Sequence, residues 1–121
     1  MKILTIGDVV GEAGLDALHA LLRRIKRDTG ADFVIVNGEN AAGNGVLPRQ
    51  AEDIFDAGAD VVTLGNHAFG KQQIVPYLDE HSDILRPANL APQSPGQGWG
   101  IFDGPQGSRL LVIDLIGRCD M

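Results

Sequence analysis

Residues 33–40 read Phe33-Val34-Ile35-Val36-Asn37-Gly38-Glu39-Asn40, a short apolar run that stops on amide and carboxylate side chains. A run of this length, rich in β-branched residues and closed by turn formers, predicts a strand buried on both faces, as in a parallel sheet. The pattern occurs twice more. Ile3 to Ile6 is closed by Gly7-Asp8, and Val61 to Leu64 by Gly65-Asn66-His67. In an open α/β sheet the ends of neighbouring strands lie side by side and form the ligand crevice. Strands sit about 4.8 Å apart, so oxygen and nitrogen donors from three such ends can converge on one or two cations.

The segments between these strands read as helices. Leu15, Leu18, Leu22 and Ile25 recur at helical spacing, with Leu21 widening the stripe. Arg23, Arg24, Lys26 and Arg27 load the last turns, where cations favour a helix C-terminus, and Gly30 suits the stop. Pro48 fits the first turn of a second helix with Ala51, Ile54 and Phe55 inward and Gly58 past its end. A third helix is expected over Ile74–Glu80, where Pro76 is tolerated only in the first turn. Ile84-Leu85 makes a brief fourth strand before Arg86-Pro87-Ala88-Asn89, and residues 92–98 are a Pro/Gly-rich loop. Trp99 to Phe102 and Leu110 to Ile116 read as two further strands around a turn at residues 103–107. The fold class is therefore α/β with a largely parallel sheet.

Ile113 to Ile116 reads as one of the most buried segments, yet five residues follow it. An α/β layer would normally cover such a strand with another helix. The expectation is a single, truncated domain over residues 1–121, or a domain that completes itself by association as a homo-oligomer.

Composition narrows the partners. The chain has 121 residues, 44% hydrophobic and 21% charged, in the ordinary range for a globular protein. A net charge of −6 offers no basic stripe to a long nucleic acid or an anionic membrane. A small phosphodiester or nucleotide substrate stays open, because bound cations reverse the local potential. Nothing approaches the roughly 20 apolar residues of a membrane span. With one cysteine, Cys119, there is no internal disulfide framework, and the expected setting is cytoplasmic.

Each strand-end segment has an ordinary reading by itself. Asp8 could cap a helix, Glu39-Asn40 could be a solvated loop, and Asn66-His67 could be a turn. Taken together at successive strand ends, they point to a metal centre. Carboxylate and amide oxygens with imidazole suit Mn, Fe or Zn. Glu39 is placed to bridge two ions, each also held by an asparagine oxygen. Two ions about 3.5–4 Å apart would clamp the attacking and leaving oxygens of a displacement at phosphorus. His67 could protonate the leaving alkoxide or stabilise negative charge on the phosphoryl group. His19, beside the apolar stripe of the first helix, and His81, expected to face solvent, are poor candidates for ligands. Arg86 could either contact a phosphate or pin the Pro-rich loop. Gly7, Gly11 and Gly14 do not make a dinucleotide-binding fingerprint.

Gly7-Asp8-Val9-Val10-Gly11, Asn37-Gly38-Glu39-Asn40-Ala41-Ala42, Gly58-Ala59-Asp60, Gly65-Asn66-His67 and Arg86-Pro87-Ala88-Asn89 together resemble the YmdB-like branch of the calcineurin-type metallophosphoesterases. The resemblance runs from Met1 to about Arg118. It implies the N-terminal half of an α/β/β/α sandwich, a dinuclear metal centre and hydrolysis of phosphodiesters such as 2′,3′-cyclic nucleotides. By position it makes Asp8, Glu39, Asn40 and Asn66 metal ligands and His67 the catalytic acid. General metallophosphoesterases carry a histidine where this chain has Val10, and the YmdB-like branch lacks it too. After His67 the run Ala68-Phe69-Gly70 keeps the family's aromatic position but not the acidic residue that follows it. Family members draw further metal-binding histidines from a C-terminal half. The alternative expectation is thus a non-catalytic remnant or interaction module without those histidines.

Overall fold

The computed structural model describes residues 1–119. Four parallel strands form the main sheet: β1 (Ile3–Ile6), β2 (Phe33–Asn37), β3 (Val61–Thr63) and β4 (Ile84–Leu85), side by side in chain order. The register pairs Ile3 with Phe33, Ile35 with Val61 and Val62 with Ile84, which brings the ends of β1, β2 and β3 together. Helices α1 (Gly11–Thr29), α2 (Pro48–Ala57) and α3 (Ile74–Glu80) connect them. A two-stranded antiparallel ribbon, β5 (Trp99–Asp103) and β6 (Arg109–Ile113), follows and is joined by a short 3₁₀ turn. A bridge between Leu85 and Gln97 ties the loop before the ribbon to the edge strand β4.

Alternation along the strands builds a core on each face of the parallel sheet. Val34, Val36, Val62 and Ile84 pack with Leu15, Leu18 and Leu22 of α1 and Ile54 of α2. Phe33, Val61 and Leu85 point the other way and pack on Val112, Phe102 and Leu110 of the ribbon. The order is therefore helices, parallel sheet, ribbon. Gly30 ends α1 in the left-handed region, at φ 68°, where a side chain would be strained. Pro48 opens α2 as expected, and the Leu47 N–H donates to the Gln50 side chain at 3.0 Å. No helix among the described residues is long and apolar enough to cross a membrane.

Several sequence expectations are corrected. The first strand, expected to be buried, is an edge strand with Ile3 and Thr5 exposed and Leu4 and Ile6 half-buried, because among the described residues only one neighbour, β2, flanks it. The last strand stops at Ile113, not Ile116, because its register partner Trp99 is where β5 begins and no ladder partner lies beyond. Asp114 N–H donates instead to the Gly98 carbonyl, and Ile116 exchanges two hydrogen bonds with the Asn89 side chain. Nor is the segment uniformly buried: Asp114 points inward while Ile113 and Leu115 are exposed. His81 also differs from expectation, lying half-buried against the ring of Tyr77 with centroids 3.8 Å apart.

Arg86 proves to be the pin of the Pro-rich loop. Only 6% exposed, its guanidinium donates to the carbonyls of Pro95, Pro87 and Ser94 at 3.0–3.2 Å. Those bonds occupy the donors a phosphate would need.

Candidate metal centre at the strand ends

The loop after β1 is stitched onto the end of β2. Val9 N–H donates to the Asn37 carbonyl at 3.1 Å, and Gly11 N–H to the Asn40 carbonyl at 3.2 Å. These bonds carry Asp8 to Asn40, whose Nδ2 donates to Asp8 Oδ2 at 2.8 Å. Asp8 does not cap α1, since Val10 occupies the cap position and makes no side-chain bond there. Its carboxylate is left for the crevice.

Glu39 is fixed from both neighbouring strands. Its own N–H donates to Asn37 Oδ1 at 3.2 Å, a local turn that sets the chain as it leaves β2. From the end of β3, His67 N–H donates to Glu39 Oε2 at 3.3 Å. The carboxylate lies directly over Gly65, where a built Cβ would collide with it. The absence of a side chain at Gly65 therefore makes the seat that Glu39 occupies. His67 Nδ1 comes within 3.5 Å of the same Oε2, with Glu39 15% and His67 36% exposed.

Two polar atoms at this place are buried and make no hydrogen bond: Asn40 Oδ1 and His67 Nδ1. A buried acceptor without a partner is disfavoured by roughly 1–3 kcal/mol, so such an atom calls for an explanation such as an ion. Asn40 Oδ1 sits on the residue that also holds Asp8 and follows Glu39, where a cation would satisfy it. Among the described residues no three carboxylate, imidazole or thiolate groups gather closely enough to hold a metal on their own. The asparagine amides are accordingly a necessary part of any donor set here. Asn66 is carried to the crevice by its neighbours Gly65 and His67, and its exposed side chain makes no hydrogen bond among the described residues. Thus the structure pairs Asp8 with Asn40 and Glu39 with His67, and leaves the Asn66 amide uncommitted.

One residue of the neighbourhood escaped the sequence reading. Asp114, 8% exposed, accepts the Leu64 N–H on Oδ2 at 3.0 Å, a donor shared with the Leu85 carbonyl at 2.9 Å. Burial pushes its carboxyl up to about 6; the Leu64 N–H opposes that shift and the negative charge of Glu39 adds to it. The available signal was an acid inside the apolar run Leu110-Leu111-Val112-Ile113-Asp114-Leu115-Ile116. Because the folded pKa lies above the unfolded value, Asp114 favours the fold most below about pH 4. That contribution disappears as pH rises through about 6. Asp114→Asn keeps an acceptor for Leu64 and removes the buried charge, so it should stabilise the chelated protein at pH 7.5 by about 2–3 kcal/mol. In urea unfolding the gain should shrink to nothing near pH 4; a gain that does not vary with pH would refute the assignment.

Comparison with known proteins places these residues in context. The family described as YmdB-like protein matches residues 4–121. A Bacillus subtilis protein named 2′,3′-cyclic-nucleotide 2′-phosphodiesterase is 39% identical over 119 residues, covering 98% of this chain and 45% of that protein. The crystal structure of a hypothetical protein from Thermus thermophilus superposes with a TM-score of 0.90 at 37% identity, over 100% of this chain and 47% of the other. That of a novel phosphatase from Mycoplasma pneumoniae gives 0.86 at 29% identity, covering 97% and 43%. The chain thus spans less than half the length of each of these relatives.

Proposed function

The chain belongs to the YmdB-like family, and from that premise we propose that it is a metal-dependent phosphodiesterase acting on small phosphodiesters such as 2′,3′-cyclic nucleotides. Asp8, Glu39, Asn40 and Asn66 would hold two divalent ions of Mn, Fe or Zn, and His67 would act as the acid. The observation that carries the reading is the buried, unpartnered Asn40 Oδ1 beside the carboxylate of Asp8. When bound, the ions would supply Lewis-acid stabilisation of charge on the phosphoryl oxygens. Asn40 then has two tasks, orienting Asp8 through Nδ2 and offering Oδ1 as a donor. Glu39 ties the ends of β2 and β3 into one unit through the His67 N–H. The partly exposed imidazole of His67, turned toward Glu39 Oε2, can deliver a proton to the departing alkoxide.

His67→Asn separates catalysis from metal binding. Hydrolysis of a 2′,3′-cyclic nucleotide in Mn²⁺ should fall by about 10²–10³-fold in kcat, with the metal content of the protein unchanged. A rate close to that of the unaltered protein would remove His67 from the mechanism. A second reading, a non-catalytic interaction module, draws support from the apolar outer side of the ribbon. It predicts neither metal-dependent turnover nor any effect of the His67 substitution.

A further inference from the structure

Leu110, Val112 and Asp114 turn to the inner side of the ribbon, while Leu111 and Ile113 between them turn out. The first two pack with Phe33, Val61 and Leu85 of the parallel sheet. The third inward position would suit another apolar side chain, yet it holds a buried acid. Stability does not account for it. The Leu64 N–H that Asp114 Oδ2 receives at 3.0 Å also donates to the Leu85 carbonyl at 2.9 Å, so the donor is satisfied without the carboxylate. Burying that carboxylate near the charge of Glu39 is itself unfavourable at neutral pH. A residue that breaks the local pattern at a cost in stability points to a demand of the site.

The main chain of Asp114 is fixed on both sides. Its N–H donates to the Gly98 carbonyl at 3.0 Å, and its carbonyl accepts the Ala88 N–H at 2.7 Å. The carboxylate is thereby aimed at Leu64, the first residue of the run Leu64-Gly65-Asn66-His67. Glu39 grips the other end of the same run, accepting the His67 N–H at 3.3 Å. We propose that Asp114 is a positioning residue for Asn66 and His67, fixing through the Leu64 N–H the start of the strand end whose far side Glu39 holds. The inference rests on the metal-centre reading above and adds that the ribbon, as well as the parallel sheet, sets the geometry of that centre. What the position requires is an acceptor oxygen, not a negative charge. Without it Leu64 keeps its bond to Leu85 and β3 stays in the sheet, but the restraint directed from the ribbon is lost.

Three variants test the proposal: Asp114→Val and Asp114→Ala remove the oxygen, and Asp114→Asn keeps it. Amide hydrogen exchange measured with chelator present needs neither metal nor turnover. Relative to the amides of Val34 and Val36 in β2, the His67 N–H should exchange about tenfold faster in the Val and Ala variants, and Asn should restore its protection. With a 2′,3′-cyclic nucleotide in Mn²⁺, the Val and Ala variants should lose about 10–100-fold in kcat with KM within about threefold, and Asn should recover most of the loss. A His67 amide that exchanges as in the unaltered protein when the oxygen is gone overturns the proposal. So does an Asn variant as impaired as Val, or a loss of protection spread equally over β2, which would mark a purely structural role. Exchange that responds as expected in a chain without turnover supports the positioning role and counts against the phosphodiesterase reading instead.

Discussion

Asn40→Ala should reduce phosphodiester hydrolysis by about 10³-fold while leaving the fold intact. The magnitude follows from the two roles of one amide. Its Nδ2 holds Asp8 at 2.8 Å, and its Oδ1 is the buried acceptor that no protein group satisfies. Truncation at Cβ would remove the oxygen proposed as a donor to the cation and release Asp8 from its orientation. The side chain belongs to neither hydrophobic cluster, so no comparable loss of stability is expected. Asn40→Asp sharpens the test. It keeps an oxygen donor but places a carboxylate against Asp8 and abolishes the hydrogen bond, so the loss should be intermediate. Rates within about threefold of the unaltered protein for both variants would remove Asn40 from the site.

Gly65→Ala should be nearly silent in stability and severe in function. The backbone at Gly65 does not lie in the left-handed region, so alanine is tolerated there conformationally. The added Cβ collides with the carboxylate of Glu39, the far end of a flexible side chain. That carboxylate moves aside, and the sheet does not. Tm should change by no more than a few degrees, whereas metal affinity and turnover should each drop by about 100-fold. A matched fall of Tm and activity would instead mean that Gly65 serves the packing of β3. Unchanged metal binding would show that Glu39 is not a ligand.

The amino-acid sequence reveals the parallel sheet because its apolar runs are short, β-branched and closed by turn formers. The structure bears this out over β1 to β4, with helix boundaries at Gly30, Pro48 and Gly58 set by the local chemistry of those residues. That Asp8 meets Asn40 and Glu39 meets His67 across neighbouring strand ends is legible for the same reason: parallel strands in sequential order put consecutive ends side by side. Other features depend on tertiary register. The end of β6 is set by where its partner β5 begins, which no pattern within Leu110–Ile116 encodes. Asp114 turns inward beneath the end of β3, a contact 50 residues distant in the chain. Similarly, the two possible roles of Arg86 could be separated only by the positions of the loop carbonyls around it.

Metal content measured by plasma mass spectrometry on protein purified in Mn²⁺, side by side for the unaltered chain and Asn40→Ala, tests the central claim most directly. Two ions per unaltered chain, falling to well under one in the variant, is the result expected of a dinuclear centre built on these strand ends. Equal metal in both proteins, or none in either, would contradict it.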